Sequence, residues 1–295
     1  MTYSIVARDA ATGQLGVAVQ SRWFNVGNGV PWVEPGVGAV ATQSFSEEAH
    51  GFNGIRLMRE GRSAAEALAE VLATDPGEAV RQVGMVDARG RAAAHTGSRC
   101  VDYASHLTAD GVCVQANMME RPTVPAAMLT TFQEVGGDLV DRLMAALRAA
   151  EGEGGDVRGR QSAAIVIAPA TGESWRRIID LRVEDHRAPL DELARLVAIH
   201  RAYEAMGEAD EAGERGDGPA ALAAGLRAVE LAPDDDQVRL WSAVGLALAG
   251  RVGEARAAYA AAAAVEPRSG EHLRRFARAG HLPGGDAVPG ILGIG

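Results

Sequence analysis

The feature that most constrains this chain is how it begins: Thr2-Tyr3-Ser4-Ile5-Val6-Ala7-Arg8-Asp9, then Leu15-Gly16-Val17-Ala18-Val19-Gln20-Ser21-Arg22. Tyr3, Ile5 and Ala7 alternate with Ser4, Val6 and Arg8. The second segment is apolar with small residues interleaved, the pattern of a strand covered on both faces. Ala10-Ala11-Thr12-Gly13 supplies a Gly-containing turn between them, so the spacing predicts a β-hairpin. Position 2 then lies at the open end of a central strand. Removal of Met1 ahead of a small residue would leave Thr2 carrying a hydroxyl and a free α-amine together.

A Thr hydroxyl is a poor nucleophile until a base accepts its proton. An α-amine, with an ordinary pKa of about 7.7–8.0, can be that base near neutral pH, where a Lys amine would be almost wholly charged. The same Thr, being β-branched, also suits the start of any strand. Ser4 is a rival nucleophile that would need a different cut.

Composition narrows the field. The 295 residues hold 47% hydrophobic and 23% charged side chains, the balance of a globular protein with one large domain or two ordinary ones. No apolar run approaches the roughly 20 residues of a membrane span. No basic region precedes an apolar block at the N-terminus, so a cytoplasmic protein is expected. A net charge of -10 argues against a nucleic-acid surface. The chain has no Lys, so any role filled elsewhere by a Lys amine falls to Arg, His or the N-terminus. Cys100 and Cys113 are too few for a disulfide scaffold or a four-ligand zinc site, which leaves a redox pair or two buried thiols. The seven His are scattered without metal-ligand spacing, and no metal or cofactor is expected. No Gly-x-Gly-x-x-Gly follows a strand, so no dinucleotide site is predicted.

Along the chain, Trp23 to Gly38 reads as a Gly/Pro-rich loop able to line a pocket. Gly38 to Phe45 reads as a strand, Ser46 to Gly51 as a loop, and about Asn53 to Gly61 as a helix. Ser63 caps a further helix over Ala64 to Ala73. Gln82–Asp87 and Arg91–Gly97 flank a turn as a second hairpin, and Val112 to Met118 is a strand. Helices are expected over Thr123–Val135 and Asp138–Ala150, a loop from Glu151 to Arg160, and strands over Gln161–Ile167 and Trp175–Val183. Strands at both ends with paired helices between them predict a layered α+β fold.

Beyond about Pro189 the sequence turns to Ala, Leu, Arg and Glu at helical spacing. Ala221, Gly225, Ala228 and Pro233 recur as Ala255, Tyr259, Ala262 and Pro267, 34 positions on. That period resembles the tetratricopeptide repeat, in which small residues let antiparallel helices approach and Pro ends the second. The expected division is 1–187 for the layered domain, 188–283 for an all-α helical-hairpin region, and 284–295 for a flexible tail.

Several segments of the first domain, taken together and in order, resemble one family. They are Thr2 to Asp9, Leu15 to Ser21, Val37-Gly38-Ala39-Val40-Ala41-Thr42-Gln43, His95-Thr96-Gly97, Gln115-Ala116-Asn117-Met118 and Gly155 to Ala164. The resemblance is to Domain of Unknown Function 1028, a bacterial and archaeal family placed in the N-terminal-nucleophile (Ntn) hydrolase superfamily. It implies a four-layer αββα sandwich, two facing sheets between helix layers, with the repeat region as an appended module. It also implies Thr2 as nucleophile. Gln20 stands where the proteasome-type branch carries an acid at the end of the second strand.

On that reading Thr2 attacks an amide carbonyl while its amine takes the proton, and preorganised donors hold the oxyanion. Asn117, at a strand end, is the candidate side-chain donor, or else a cap. Gln43 and Ser44 could orient the substrate or the amine. Arg158, Arg160, Gln161 and Ser162 combine a Gly-rich loop with charge and hydroxyl; they are a candidate carboxylate clamp or ordinary loop ion pairs. Ser21 and Arg22 form a second candidate clamp, and His95 is either a proton carrier or a structural histidine. The expectation is an amidohydrolase acting on a small-molecule amide. The other reading is a non-catalytic scaffold whose helical repeats recruit a protein partner. Repeat-like hairpins also suggest a homo-oligomer.

Overall fold

The structure, a computed structural model, describes residues 2–294. Met1, whose removal the N-terminal reading requires, lies outside the described residues. The chain divides into two compact units, 1–194 and 195–295, with the boundary inside one long helix rather than at 187/188.

The first unit is built on two antiparallel sheets. Strands β1 (Thr2–Arg8) and β2 (Leu15–Ser21) form the expected hairpin. They occupy the middle of a six-stranded sheet in the order β10-β9-β2-β1-β8-β7. Its other members are β7 (Ser105–Ala109), β8 (Val112–Asn117), β9 (Ser162–Ala168) and β10 (Ile179–Val183). The second sheet runs β3-β4-β5-β6, from β3 (Pro31–Glu34), β4 (Gly38–Ser44), β5 (Arg81–Asp87) and β6 (Ala92–Thr96). The sheets meet through Val6, Val17, Val19 and Val166 on one side and Val33, Ala39, Ala41 and Val86 on the other. The opposite face of the four-stranded sheet, with Val40, Val83 and Met85, carries α1 (Glu48–Arg59) and α2 (Ala64–Ala73). The six-stranded sheet carries α3 (Val124–Glu134) and α4 (Leu139–Gly152) on its other face. A Cβ on Gly16 would stand 2.9 Å from Leu143 Cδ1, so the small residue in β2 is what lets α4 lie close.

Several boundaries differ from expectation, each for a local reason. The loop over Trp23–Gly38 contains a turn of 3-10 helix at Val26–Asn28 and the edge strand β3, where Pro31 opens a strand that needs no outward donor. Helix α1 starts at Glu48 because the Glu47 carboxylate accepts from Ala49 N–H, so the stretch read as loop is partly helix. Strand β7 lies where no strand was expected; its alternation is broken by exposed Leu107. Strand β10 begins at Ile179, and Trp175 is exposed before it. Ser63 caps α2 as predicted, with Glu66 completing a reciprocal capping box.

The second unit is helical. After the long α5 (Pro189–Glu214) come α6 (Gly218–Leu231), α7 (Asp236–Leu248), α8 (Val252–Val265), α9 (Ser269–Arg278) and α10 (Ala287–Leu292). Helices α6 and α8 are both 14 residues long and start 34 positions apart, at 218 and 252. The stretch 284–295, read as a flexible tail, carries α10 and buries Val288 and Leu292 among residues of α7 to α9. Among the described residues no helix is long and apolar enough to cross a membrane.

Gly16→Val should overfill the contact with α4 and lower stability by about 1–3 kcal/mol, read as an earlier unfolding midpoint in urea.

Candidate functional site

The lateral register of the six-stranded sheet puts Ser162, Ser21, Thr2 and Asn117 opposite one another on β9, β2, β1 and β8. Alternation along each strand turns this row to the face that carries Val6, Val17 and Val19, toward the other sheet. There the matching row is Gln43, Gln82 and Thr96 on β4, β5 and β6. The space between the sheets is therefore apolar at one end and polar at the other. Thr2 is only 4% exposed, and Ser21, Gln43, Gln82, Asn117 and Ser162 are buried with it.

The polar end is hydrogen-bonded across the gap. Thr2 Oγ1 donates to Ser21 Oγ at 3.0 Å. Gln43 Nε2 donates to Thr2 O (3.1 Å) and to Gln82 Oε1 (2.7 Å). Asn117 Nδ2 donates to Gln82 Oε1 at 2.8 Å and lies 3.4 Å from Thr2 O. Gln82 Nε2 in turn donates to Ala116 O and Thr96 Oγ1, both at 2.9 Å. Thr96 Oγ1 and His106 Nδ1 are 2.9 Å apart. Burial, and then His95 nearby, lower the His106 pKa, so this end of the network is neutral at pH 7. One row deeper, Gln115 Nε2 donates to Ser4 Oγ at 3.2 Å and Ala41 O at 3.0 Å, which commits Ser4 to structure.

Ser44 and Met118, immediately after Gln43 and Asn117, adopt left-handed backbone with φ of 72° and 56°. Such conformations are rare outside Gly. They end both strands just past the amide side chains.

Not every expected site residue joins Thr2. Asn117 does, but its NH2 group is directed at Gln82 and Thr2 O, while Oδ1 is the atom left without a partner. Gln43 joins; Ser44, half-buried, follows it at the strand end while the network runs through Gln43. Ser21 accepts the Thr2 hydroxyl. Ser162 shares the row, yet its Oγ donates to Trp23 O at 2.5 Å and accepts from Val26 N at 3.1 Å, pinning the segment after β2. Arg22 is exposed at the rim, its backbone N–H on Asp156 Oδ2 at 3.0 Å. Arg158 wraps the same buried carboxylate through its backbone N–H (2.9 Å), Nε (3.1 Å) and a terminal nitrogen (2.9 Å). Arg160 pairs with Glu151, which also accepts the Tyr3 hydroxyl at 2.5 Å on the opposite face of β1. Burial first, and Glu151 second, push the Tyr3 phenol well above its ordinary pKa, so it stays a donor. Gln161 contributes backbone: its N–H reaches Ser21 O at 3.1 Å.

His95 does not face Thr2. Thr96 points inward on β6, so alternation turns His95 outward, where Nε2 sits 3.1 Å from Glu78 O and 3.2 Å from Glu78 Oε1. The histidine tied to the network is His106, on the unpredicted strand β7. Gln82 and Asp156 were also missed. Gln82 could have been found from the hairpin, since its register against Thr96 and Gln43 follows once the turn is placed.

A cleft of about 440 Å3 lies elsewhere, lined by residues of α1, α2 and the segments beside them, on the outer side of the four-stranded sheet. It holds buried His50, with Nε2 3.2 Å from Asp75 Oδ2; burial lowers the His50 pKa against the pull of Asp75. Among the described residues no cluster of three or more His, Cys, Asp or Glu could hold a metal ion.

The model of a family described as a family of unknown function, DUF1028, matches residues 2–193. The chain belongs to this family. The DUF1028 match covers both sheets and α1 to α4, and so every residue of the Thr2 network. Among solved structures the chain is similar to the crystal structure of protein SPO2555 from Silicibacter pomeroyi, of the same family. The two are 30% identical with a TM-score of 0.61, over 66% of this chain and 87% of that one. No curated protein matches.

The cysteines do not form the redox pair left open by the sequence. Both are free, and burial pushes the Cys113 thiol up to about 12, where it is neither a nucleophile nor an easy target for oxidation. Iodoacetamide on the native protein at pH 8 should alkylate Cys100, which is partly exposed, and leave Cys113 untouched, as read by peptide mass spectrometry. Asp156→Ala should cost more than about 2 kcal/mol, because it strips the Arg22 and Arg158 N–H groups of a buried acceptor, and urea denaturation measures this.

Proposed function

We propose that this DUF1028 protein is an Ntn-type amidohydrolase in which Thr2, exposed as the N-terminal residue after Met1 removal, attacks an amide carbonyl of a small molecule. The observation that carries this reading is the setting of Thr2. A β-branched residue at the end of a central strand has its hydroxyl in a hydrogen bond to Ser21, inside a buried polar row at one end of an otherwise apolar sheet interface. Six polar side chains at one end of a core are costly to bury, and a functional site is one reason for a chain to carry that cost. The helix pairs on the outer faces of the two sheets support the four-layer αββα architecture of that superfamily. The equal lengths and 34-residue offset of α6 and α8 support a tetratricopeptide-like second unit.

In the reaction, the Thr2 amine takes the proton from Oγ1 directly or through one water, and Oγ1 bonds to the carbonyl carbon. Ser21 Oγ holds the hydroxyl in place beforehand. Collapse of the tetrahedral intermediate expels the amine product, which receives a proton, and water then cleaves the acyl ester to restore Thr2. Two nearby loop cations are engaged with carboxylates, Arg158 with Asp156 and Arg160 with Glu151, while Arg22 stands exposed at the rim beside Ser21.

Intact-mass measurement should show the chain without Met1, and a broad panel of amides should yield a hydrolysed member. Thr2→Ala should lower its turnover at least about a thousandfold while the far-UV spectrum is unchanged. A retained Met1, or hydrolysis that survives Thr2→Ala, sinks the proposal.

A further inference from the structure

We infer that Gln43 Oε1 and Asn117 Oδ1 form an acceptor pair that holds the freed α-amine of Thr2, and that Gln82 is the positioning residue that turns both amides to do so. The inference rests on Thr2 being the N-terminal residue.

The orientation of each amide follows from atoms that can only accept. Gln82 Nε2 lies 2.9 Å from Ala116 O and 3.3 Å from Ser105 O, both backbone carbonyls, so the NH2 group must face them. Gln82 Oε1 therefore faces Gln43 and Asn117, and each must offer its own NH2 group, at 2.7 and 2.8 Å. Gln43 Nε2 is further fixed by Thr2 O at 3.1 Å and Gln115 O at 3.4 Å. Reversing any one of the three amides would set oxygen against oxygen.

Once the nitrogens are placed, so are the oxygens. Within an amide group the oxygen is about 2.2 Å from the nitrogen. Gln43 Oε1 and Asn117 Oδ1 thus lie one amide width from nitrogens that reach the Thr2 carbonyl oxygen. Among the described residues both are buried and without a partner, as is Gln115 Oε1 one row deeper. Buried acceptors are seldom left so, and the two whose amide nitrogens reach Thr2 O are the ones a donor at Thr2 would serve. The Thr2 hydroxyl is committed to Ser21. The chain has no Lys to supply an ammonium. A freed Thr2 amine is the donor that arises at this spot, with two or three N–H groups.

Few other titratable groups share its surroundings. Facing the same gap are His106, reached through Thr96, and Cys113, two residues further into the core than Gln115 on β8. Tyr3, Glu151 and Arg160 lie on the opposite face of β1, and Asp156 with Arg22 and Arg158 at the strand ends. Two neutral oxygens favour the ammonium form while burial opposes it.

The test reads the pKa of the Thr2 amine by NMR on protein labelled with 15N-threonine, after intact mass has established whether Met1 is gone. Asn117→Asp and Gln43→Glu each bring an anion beside the amine while giving up one NH2 donor to Gln82 Oε1. Each should raise its pKa by about one unit or more. Gln82→Leu releases both amides and should lower it, with Gln82→Asn restoring part of the shift. Using both acidic variants guards against one failing to fold, which far-UV circular dichroism checks. A freed amine whose pKa ignores both acidic substitutions overturns this inference alone. A retained Met1 overturns it together with Thr2 as nucleophile.

Discussion

The site depends on one constraint: two antiparallel sheets closing face to face must find partners for most of the polar groups they trap. Over most of their contact the difficulty does not arise, because Val6, Val17, Val19, Val33 and Val86 have nothing to satisfy. At the Thr2 end the sheets trap three side-chain amides and several hydroxyls. These are tolerable only because Gln82 bonds to Gln43 and Asn117 while its own nitrogen is held by β8 and Thr96. A network of this kind is rigid when satisfied and costly when broken. Rigidity of this kind suits the proposed role of Thr2, since positioned dipoles can do work that charges do elsewhere.

The surrounding charges reinforce this division. Asp156 is buried but neutralised by Arg158, and it ties the strand exit at Arg22 to the loop before β9. Glu151 anchors Tyr3 and Arg160 on the far face of the same sheet. Each arginine from the Gly-rich loop thus acts as a brace. The basic, Gly-rich composition that suggests a clamp for substrate describes instead a loop cross-linked to the strands that flank Thr2.

Much of the fold was legible in the order of residues. The first hairpin, the capping box at Ser63 and Glu66, the hairpin of β5 and β6, and the 34-residue offset of α6 and α8 each rest on local pattern. What escaped were elements whose cue is not local. Strand β7 is largely exposed and owes its place to pairing with β8. Helix α10 is short and rich in Gly and Pro, yet Val288 and Leu292 are buried against helices formed long before it in the chain.

The sequence by itself determined that Thr2 opens the first strand of a hairpin, and that this chain must manage without a lysine. It also determined that amide and hydroxyl residues end several strands. Only the tertiary structure decided which of those ends meet. A strand's pattern tells which residues share a face but not which strand lies beside it or across from it. So Gln82 and His106 entered the network and His95 left it, for alternation on β6 can turn only one of His95 and Thr96 toward Thr2. Register and sheet pairing are long-range choices, made by burial of the whole core, and no short stretch contains them.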